Sequence, residues 1–202
     1  VANKQVKIKV HFMAPVTGKR PVFERICALI QSNGYELLTE HILNRTLEQV
    51  NNETDEESKT MTRKLHNWIR EAQIVVYEVS TPNVSVGYEI ALAFTDSIPV
   101  ILLYNEKTGE VPHGLKGIEN DLLQMVPYDD DSLPDLLKLA LKNASSMAPR
   151  RTYVIFPALL NQYLTWVEHT YKVPSSMYLR VLVEADMRDN RAYQAHLGNE
   201  ET

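Results

Sequence analysis

The sequence QIVVYEVSTPNVSVGYE, residues 73–89, carries the strongest indication of the fold. It opens with a nearly continuous apolar run, which is typical of a central parallel strand buried on both faces. Thr-Pro-Asn at 81–83 then predicts a turn, and we expect a helix over about 85–94. A buried strand that passes through a short turn into a helix is the repeating unit of parallel α/β sheets.

Similar units flank this stretch on both sides. Further strands are predicted at residues 6–12, 35–39, 98–104 and 122–127, and helices at 21–32, 59–72 and 131–143. Residues 46–57 are polar and acidic without an apolar period, so they are predicted to form a mobile loop. The alternation favours a doubly wound, Rossmann- or flavodoxin-like parallel sheet, which we assign to residues 1–146.

Residues 151–202 have a different pattern and are predicted to form a second, smaller domain. A strand at 151–156 and helices at 157–171 and 175–189 resemble a ribbon–helix–helix module, followed by a loosely ordered tail. Such a module completes its core by pairing with a second copy, so we expect a homodimer or a higher even-numbered oligomer. The alternative is that this segment packs on its own α/β domain.

The charge balance limits the partners of the chain. The 202 residues carry 21 Lys and Arg against 26 Asp and Glu, a net charge of −5, which argues against a general polyanion binder. Six basic and six acidic side chains balance over residues 150–202. DNA binding by the C-terminal module is therefore possible but not expected.

Composition also indicates the compartment and the absence of metal chemistry. Cys27 is the only cysteine and lies in an apolar helical pattern, which favours a buried structural thiol in a reducing, cytoplasmic setting. The six histidines are scattered without ligand spacing, so we expect no metal and no cofactor. No apolar run approaches ~20 residues and the start does not resemble a signal peptide, so no membrane association is expected.

A site is expected where the predicted parallel strands end, since open α/β sheets bind ligands there. Three loops leave from such ends, at 13–20, 39–46 and 80–88. Glu89 follows the third loop near the start of a helix, where the helix dipole is expected to keep its carboxylate ionised, as a nucleophile requires. Gly87 would let a substrate approach the backbone closely.

These residues carry a resemblance to a known family. The strand, turn and Gly-Tyr-Glu segment at 74–90 resembles the core motif of the nucleoside 2-deoxyribosyltransferase family. Residues 12–20 sit where that family has its first, Gly-rich loop. Leu-Thr-Glu-His at 38–41 matches the 2′-deoxynucleoside 5′-phosphate N-hydrolase branch, and Trp68 falls at a tryptophan of that branch. The similarity spans about residues 5–130.

The resemblance implies cleavage of an N-glycosidic bond in a nucleoside or nucleoside 5′-phosphate. The glutamate of the family attacks the anomeric carbon to form a glycosyl-enzyme, which water resolves in hydrolases and a second base resolves in transferases. Glu89 then becomes the candidate nucleophile. The candidate substrate-binding residues, all near the carboxyl edge of the predicted sheet, are Tyr88, Asn83, Gly87, Thr17, Gly18, Arg20 and His41.

The chain departs from the family at several helper positions. An aspartate that precedes the family tryptophan by one turn is replaced by Leu65, and Pro15 removes an N–H from the first loop. A tyrosine of the first strand becomes His11, Asn83 stands where the family has Asp or Ser, and a later serine falls at about Pro112.

These departures leave alternatives open. His11 could be a replacement acid for the leaving base, or simply a histidine bonded by backbone groups at a strand end. His41 could contact substrate or brace its loop, and the basic 13–20 loop could hold an anion or remain solvated. The alternative function is a catalytically weak or inactive nucleotide-sensing protein. As a regulator, such a protein would use its C-terminal module for DNA binding or dimerisation.

Overall fold

A computed structural model describes residues 7–38, 41–83, 85–107, 111, 113–149 and 154–200. The chain divides into two compact units, Val1–Arg150 and Arg151–Thr202. Within the described residues, no helix combines the length and the apolar character needed to cross a membrane.

The first unit is a parallel α/β sheet. Its strands are β1 (Lys9–Met13), β2 (Glu36–Leu37), β3 (Ile74–Glu78), β4 (Val100–Asn105) and β5 (Leu123–Tyr128). Its helices are α1 (Arg20–Ser32), α2 (His41–Asn44), α3 (Leu47–Asn51), α4 (Asp55–Glu71), α5 (Ser85–Thr95), α6 (His113–Lys116) and α7 (Leu133–Met147). All strand pairs are parallel in the order β2-β1-β3-β4-β5. This confirms the predicted doubly wound sheet, in its flavodoxin-like order.

The core consists of two apolar layers, one on each face of the sheet. Ile74 and Val76 of β3 pack with residues of α1 and α7, whereas Val75 and Tyr77 pack with residues of α4 and α5. Because both faces of β3 are covered, its sequence is an almost continuous apolar run instead of an alternating one. Cys27 is buried on the inner side of α1, as predicted.

The prediction of a mobile loop over residues 46–57 is wrong, because two helices begin there. Thr46 and Gln49 form a capping box at the start of α3, and Thr54 and Glu57 form another at the start of α4. In each box the threonine hydroxyl accepts from a backbone N–H three residues on, while the later side chain accepts from the threonine N–H. These caps stabilise helix starts without needing an apolar period.

The described residues of the second unit form three helices, α8 (Ala158–Tyr171), α9 (Ser175–Asp189) and α10 (Arg191–Glu200). The first two were predicted, but the prediction of a loosely ordered tail is wrong: Asn190 Oδ1 accepts from Tyr193 N–H at 3.2 Å and caps α10. Residues 154–156 of the predicted strand are not in a strand, and residues 151–153 lie outside the described part. Such a strand would need a second copy to pair with.

Candidate active site

The reversal of strand order between β1 and β3 creates a cavity at the carboxyl edge of the sheet. Ligands of doubly wound sheets bind at such a switch point. The cavity has a volume of about 230 Å³ and is bordered by the loop after β1, helices α2 to α4, and the start of α5. Its described lining residues are Met13, Ala14, Val16, Ile42, Arg45, Val50, Glu53, Ser58, Met61, Thr62, Leu65, Asn83, Ser85 and Glu89.

Glu89 lines this cavity from α5 and is only 5% exposed. Burial raises the pKa of Glu89 to about 7, and the hydroxyl of Tyr77 acts in the opposite direction. The predicted stabilisation of this ionised carboxylate by the helix dipole requires a position in the first turn of α5. Glu89 is the fifth residue of α5, and the influence of a helix N-terminus falls off within the first turn.

Tyr77 is a further polar residue beside Glu89. Tyr77 lies in β3 and is fully buried. It is paired in register with Met13 of β1, which lines the cavity. Its hydroxyl makes no direct hydrogen bond of 3.5 Å or less within the described residues. Burial and then the charge of Glu89 raise the pKa of Tyr77 well above its usual value. The hydroxyl and the carboxylate therefore lie close enough for each to shift the pKa of the other.

Arg45 and Glu53 are the other charged residues among those described around the cavity. They form an ion pair between side chains that are 18% and 21% exposed. The same pair lines an adjoining groove of about 590 Å³ along α3 and α4. Glu53 belongs to the segment 46–57, whose helices the apolar pattern missed, and Arg45 directly precedes it. The Thr-x-x-Gln and Thr-x-x-Glu capping signatures could have revealed these helices.

The turn before α5 brings Asn83 into the cavity but not Tyr88. Asn83 Oδ1 accepts from Ser85 N–H at 2.9 Å, which fixes the start of α5. Gly87 is exposed, with open space where a Cβ would point. Tyr88 is 58% exposed, and its hydroxyl lies 3.1 Å from His66 Nε2, so it braces α5 against α4.

Gly18 shapes the first loop, although it does not line the cavity. Its N–H donates to the Pro15 carbonyl at 2.9 Å, which closes a turn. A Cβ at this position would clash with the ring of Phe23, a buried core residue, so the close approach of loop and helix requires glycine. The described geometry thus gives Gly18 a role in packing, and its role in substrate binding stays a prediction.

Thr17 and Arg20 also lie away from the cavity. Thr17 is exposed, and Arg20 Nε donates to Glu24 one turn along α1 at 3.1 Å. Among the described lining residues, this loop contributes Ala14 and Val16 instead. The residues that this loop contributes to the cavity therefore have apolar side chains.

His11 lies within the core and not on the cavity. It is fully buried in β1, and its ring centroid is 6.0 Å from that of Trp68. Because side chains alternate along a strand, His11 shares a face with Met13 but sits two residues deeper. The structure gives the candidate acid no place at the cavity wall.

Some sequence-based candidates cannot be placed by side chain. His41 is the first residue of α2, and its side chain, like residues 39, 40 and 112, lies outside the described part. Leu65, by contrast, lines the cavity at the position where the resembled family has an aspartate.

Glu78 is a second buried carboxylate that sequence reasoning did not single out. It points to the opposite face from Tyr77, where its Oε1 accepts from Tyr128 Oη at 3.1 Å and from Ser80 N–H at 3.2 Å. Ser80 Oγ in turn accepts from Asn105 N–H at 2.8 Å. These hydrogen bonds connect the ends of β3, β4 and β5, so the Glu78 carboxylate has a structural role.

Comparison with known proteins identifies the family. No family model matches the chain. A protein of Nematostella vectensis described as a 2′-deoxynucleoside 5′-phosphate N-hydrolase is 32% identical over 141 residues, 67% of this chain and 95% of that protein. Its namesake from Thermofilum pendens is 30% identical over 146 residues, 70% and 96% respectively. The rat 5-hydroxymethyl-dUMP N-hydrolase is 28% identical over 113 residues, 54% and 69%. Since the first two relatives are matched over nearly their whole length, the chain belongs to the 2′-deoxynucleoside 5′-phosphate N-hydrolase family.

Proposed function

We propose that this chain is an N-glycosidase that cleaves the bond between base and sugar in a nucleoside or nucleotide, with Glu89 as the nucleophile. The observation that carries the proposal is the buried Glu89 carboxylate in the switch-point cavity. Family membership supports the reaction type, and the names of the relatives make 2′-deoxynucleoside 5′-phosphates the first compounds to test.

The proposed reaction needs two displacements at the anomeric carbon. An ionised Glu89 oxygen forms a bond to that carbon while the bond to the base nitrogen breaks, and the base leaves with the electron pair and takes up a proton. Water, or a second base, then attacks the same carbon and regenerates the carboxylate. A pKa of about 7 leaves a substantial fraction of Glu89 ionised at neutral pH.

The test is release of free base from matched ribo- and deoxyribonucleosides and their 5′-phosphates. We expect the wild type to release base and Glu89→Gln to release none. Glu78→Gln is the matched control, because it removes a buried carboxylate on the opposite face of β3. Circular dichroism checks that each variant is folded. Absence of release by wild-type protein over the whole panel, or equal release by Glu89→Gln, would reject the proposal.

A second candidate function, ligand sensing without turnover, is favoured by Leu65. A leucine in the cavity wall cannot assist the leaving base as the family aspartate does. Thermal shift measurements separate the two, because a ligand that binds only the folded state raises the unfolding temperature. Stabilisation without base release supports sensing, and stabilisation with base release rejects it.

A further inference from the structure

We propose that Arg45 is a further catalytic residue, which donates hydrogen bonds to the leaving base and stabilises the negative charge that builds on it. The inference rests on the proposed function and adds a residue to its mechanism. It is carried by the position of the Arg45–Glu53 ion pair, at the boundary between the Glu89 cavity and the adjoining groove.

The cavity and the groove meet at this ion pair. Arg45, Glu53 and Met61 line both the cavity of about 230 Å³ and the groove of about 590 Å³. Most of the described residues along the groove are exposed, so the groove is open to solvent. A base released at Glu89 needs a path out of the cavity, and the groove provides one that begins at the pair. We therefore place the base of a bound substrate next to Arg45 and Glu53.

The geometry of a displacement agrees with this placement. A nucleophile attacks the anomeric carbon from the side opposite to the departing group, so a residue that acts on the base lies across the sugar from the nucleophile. Glu89 reaches the cavity from α5, whereas Arg45 and Glu53 reach it from the two ends of α3. The nucleophile and the cation thus come from different walls of one cavity.

A guanidinium suits a base that departs with an electron pair. It carries several N–H donors in a planar fork and keeps its positive charge at neutral pH. Arg45 Nη2 pairs with Glu53 Oε1, and the fork has further N–H groups that can face a ligand. Negative charge develops on the base only as its bond breaks. These hydrogen bonds are therefore stronger in the transition state than with bound substrate, which is the condition for a higher rate.

The ion pair is held in place and largely shielded from water. Arg45 directly precedes Thr46, and Glu53 directly precedes Thr54, the two threonines whose capping boxes begin α3 and α4. The Arg45 and Glu53 side chains are only 18% and 21% exposed. In such surroundings a charge acts on its neighbour more strongly than in water. The guanidinium is therefore positioned before the base arrives, with Glu53 as its positioning residue.

The face of α4 beside the pair can hold the base ring. Ser58, Met61, Thr62 and Leu65 recur at helical spacing and line the cavity together. Met61 and Leu65 offer apolar surface on which a ring can pack. Leu65 cannot hydrogen-bond to the base, so polar assistance at this wall comes from neighbours such as Arg45.

The step balances without a proton from the arginine. A Glu89 oxygen forms a bond to the anomeric carbon as the bond from that carbon to the base nitrogen breaks. The electron pair stays on the base, and Arg45 stabilises the resulting charge. The base takes up a proton from water as it enters the groove.

The experiment compares wild-type protein with Arg45→Gln on pairs of substrates that differ only in the basicity of the departing nitrogen. Each base that the wild type releases is paired with its fluorinated analogue on the same sugar and phosphate, for example uracil with 5-fluorouracil or adenine with 2-fluoroadenine. Fluorine withdraws electrons, so the fluorinated base needs less stabilisation as it leaves. The value measured is kcat/KM, which reports the loss of transition-state stabilisation relative to free enzyme and substrate.

We expect Arg45→Gln to lose at least about tenfold in kcat/KM on the unsubstituted base, as for other donors aimed at developing charge, and clearly less on the fluorinated base. Arg70→Gln is the matched control and should change neither value, because Arg70 pairs with Asp96 and is 62% exposed. Circular dichroism checks that each variant is folded. If Arg45→Gln is unfolded, Arg45→Lys replaces it, since lysine keeps the charge but lacks the planar fork.

The outcomes separate this inference from the proposed function. An equal loss on both members of a pair, no loss, or the same loss in Arg70→Gln overturns the role of Arg45 while base release by the wild type upholds the proposed function. Absence of base release by the wild type over the whole panel rejects both.

Discussion

The Tyr77 hydroxyl and the Glu89 carboxyl group are buried side by side between β3 and α5, where each shifts the pKa of the other. No direct hydrogen bond of 3.5 Å or less joins the tyrosine hydroxyl to any described group. The hydroxyl nevertheless favours the ionised form of Glu89, against the larger effect of burial.

We expect kcat/KM for base release to rise with pH through an apparent pKa near 7. The nucleophile must be ionised, and burial raises the pKa of Glu89 to about 7. The measurement is a pH profile of kcat/KM from pH 5 to 9 at constant ionic strength. A profile that is already flat above pH 5 would contradict the assignment of this ionisation to catalysis.

Replacing Tyr77 by Phe should move the acid limb of that profile to higher pH. The hydroxyl favours the ionised form of Glu89, so its loss raises the pKa further. We expect reduced activity at pH 7 and recovery toward the wild-type value at pH 9. Tyr104→Phe is the matched control, since Tyr104 packs against the same apolar layer from β4. An unchanged profile for Tyr77→Phe, or the same shift in both variants, argues against the effect of the Tyr77 hydroxyl on the pKa of Glu89.

The raised pKa of Glu89 also predicts how stability depends on pH. The unfolded chain loses the proton near pH 4.5 and the folded chain near 7, so the free energy of unfolding falls as pH rises between these values. The total is roughly 3 kcal/mol for a shift of this size. Glu89→Gln should therefore gain stability relative to wild type at pH 8 but not at pH 4, as measured by urea unfolding. Equal differences at both pH values would show that the carboxyl group is not buried as described.

From the exposed apolar side chains of the C-terminal unit, we predict that the full chain assembles into a homodimer or a higher even-numbered oligomer. Among its described residues only Leu164 and Val167 are buried. Many large apolar side chains are exposed: Val154, Ile155, Leu159, Leu160, Tyr163, Trp166, Tyr171, Met177, Val181, Leu182, Val183 and Met187. A monomer rarely exposes so much apolar surface.

Light scattering on the full chain tests the assembly, with Trp166→Lys and Leu182→Lys as variants expected to lower the mass. A monodisperse monomer of wild-type protein at micromolar concentration would contradict the prediction and favour packing of this unit on its own α/β domain. A wild-type dimer that both variants leave intact would place the interface on the α/β unit.

The sheet could be predicted from sequence because a strand that is buried on both faces consists almost entirely of apolar residues, as residues 74–78 do. Glu89 could be located because the turn and helix follow at once. The Arg45–Glu53 pair could not be found from apolar periodicity, since polar capping boxes and tertiary contacts form that wall. The directions of the His11 and Tyr88 side chains could not be predicted from the sequence. Strand register determines the first, and the contact with His66 determines the second.

Trapping of the glycosyl-enzyme would show whether Glu89 forms the covalent bond to the sugar. Wild-type protein is mixed with a nucleoside substrate, quenched in acid within milliseconds to seconds, digested and analysed by mass spectrometry. We expect the peptide containing Glu89 to gain the mass of one sugar residue, located on that carboxylate, at a rate consistent with base release. Base release that proceeds while this peptide stays unmodified at every quench time, and that persists in Glu89→Gln, would contradict it.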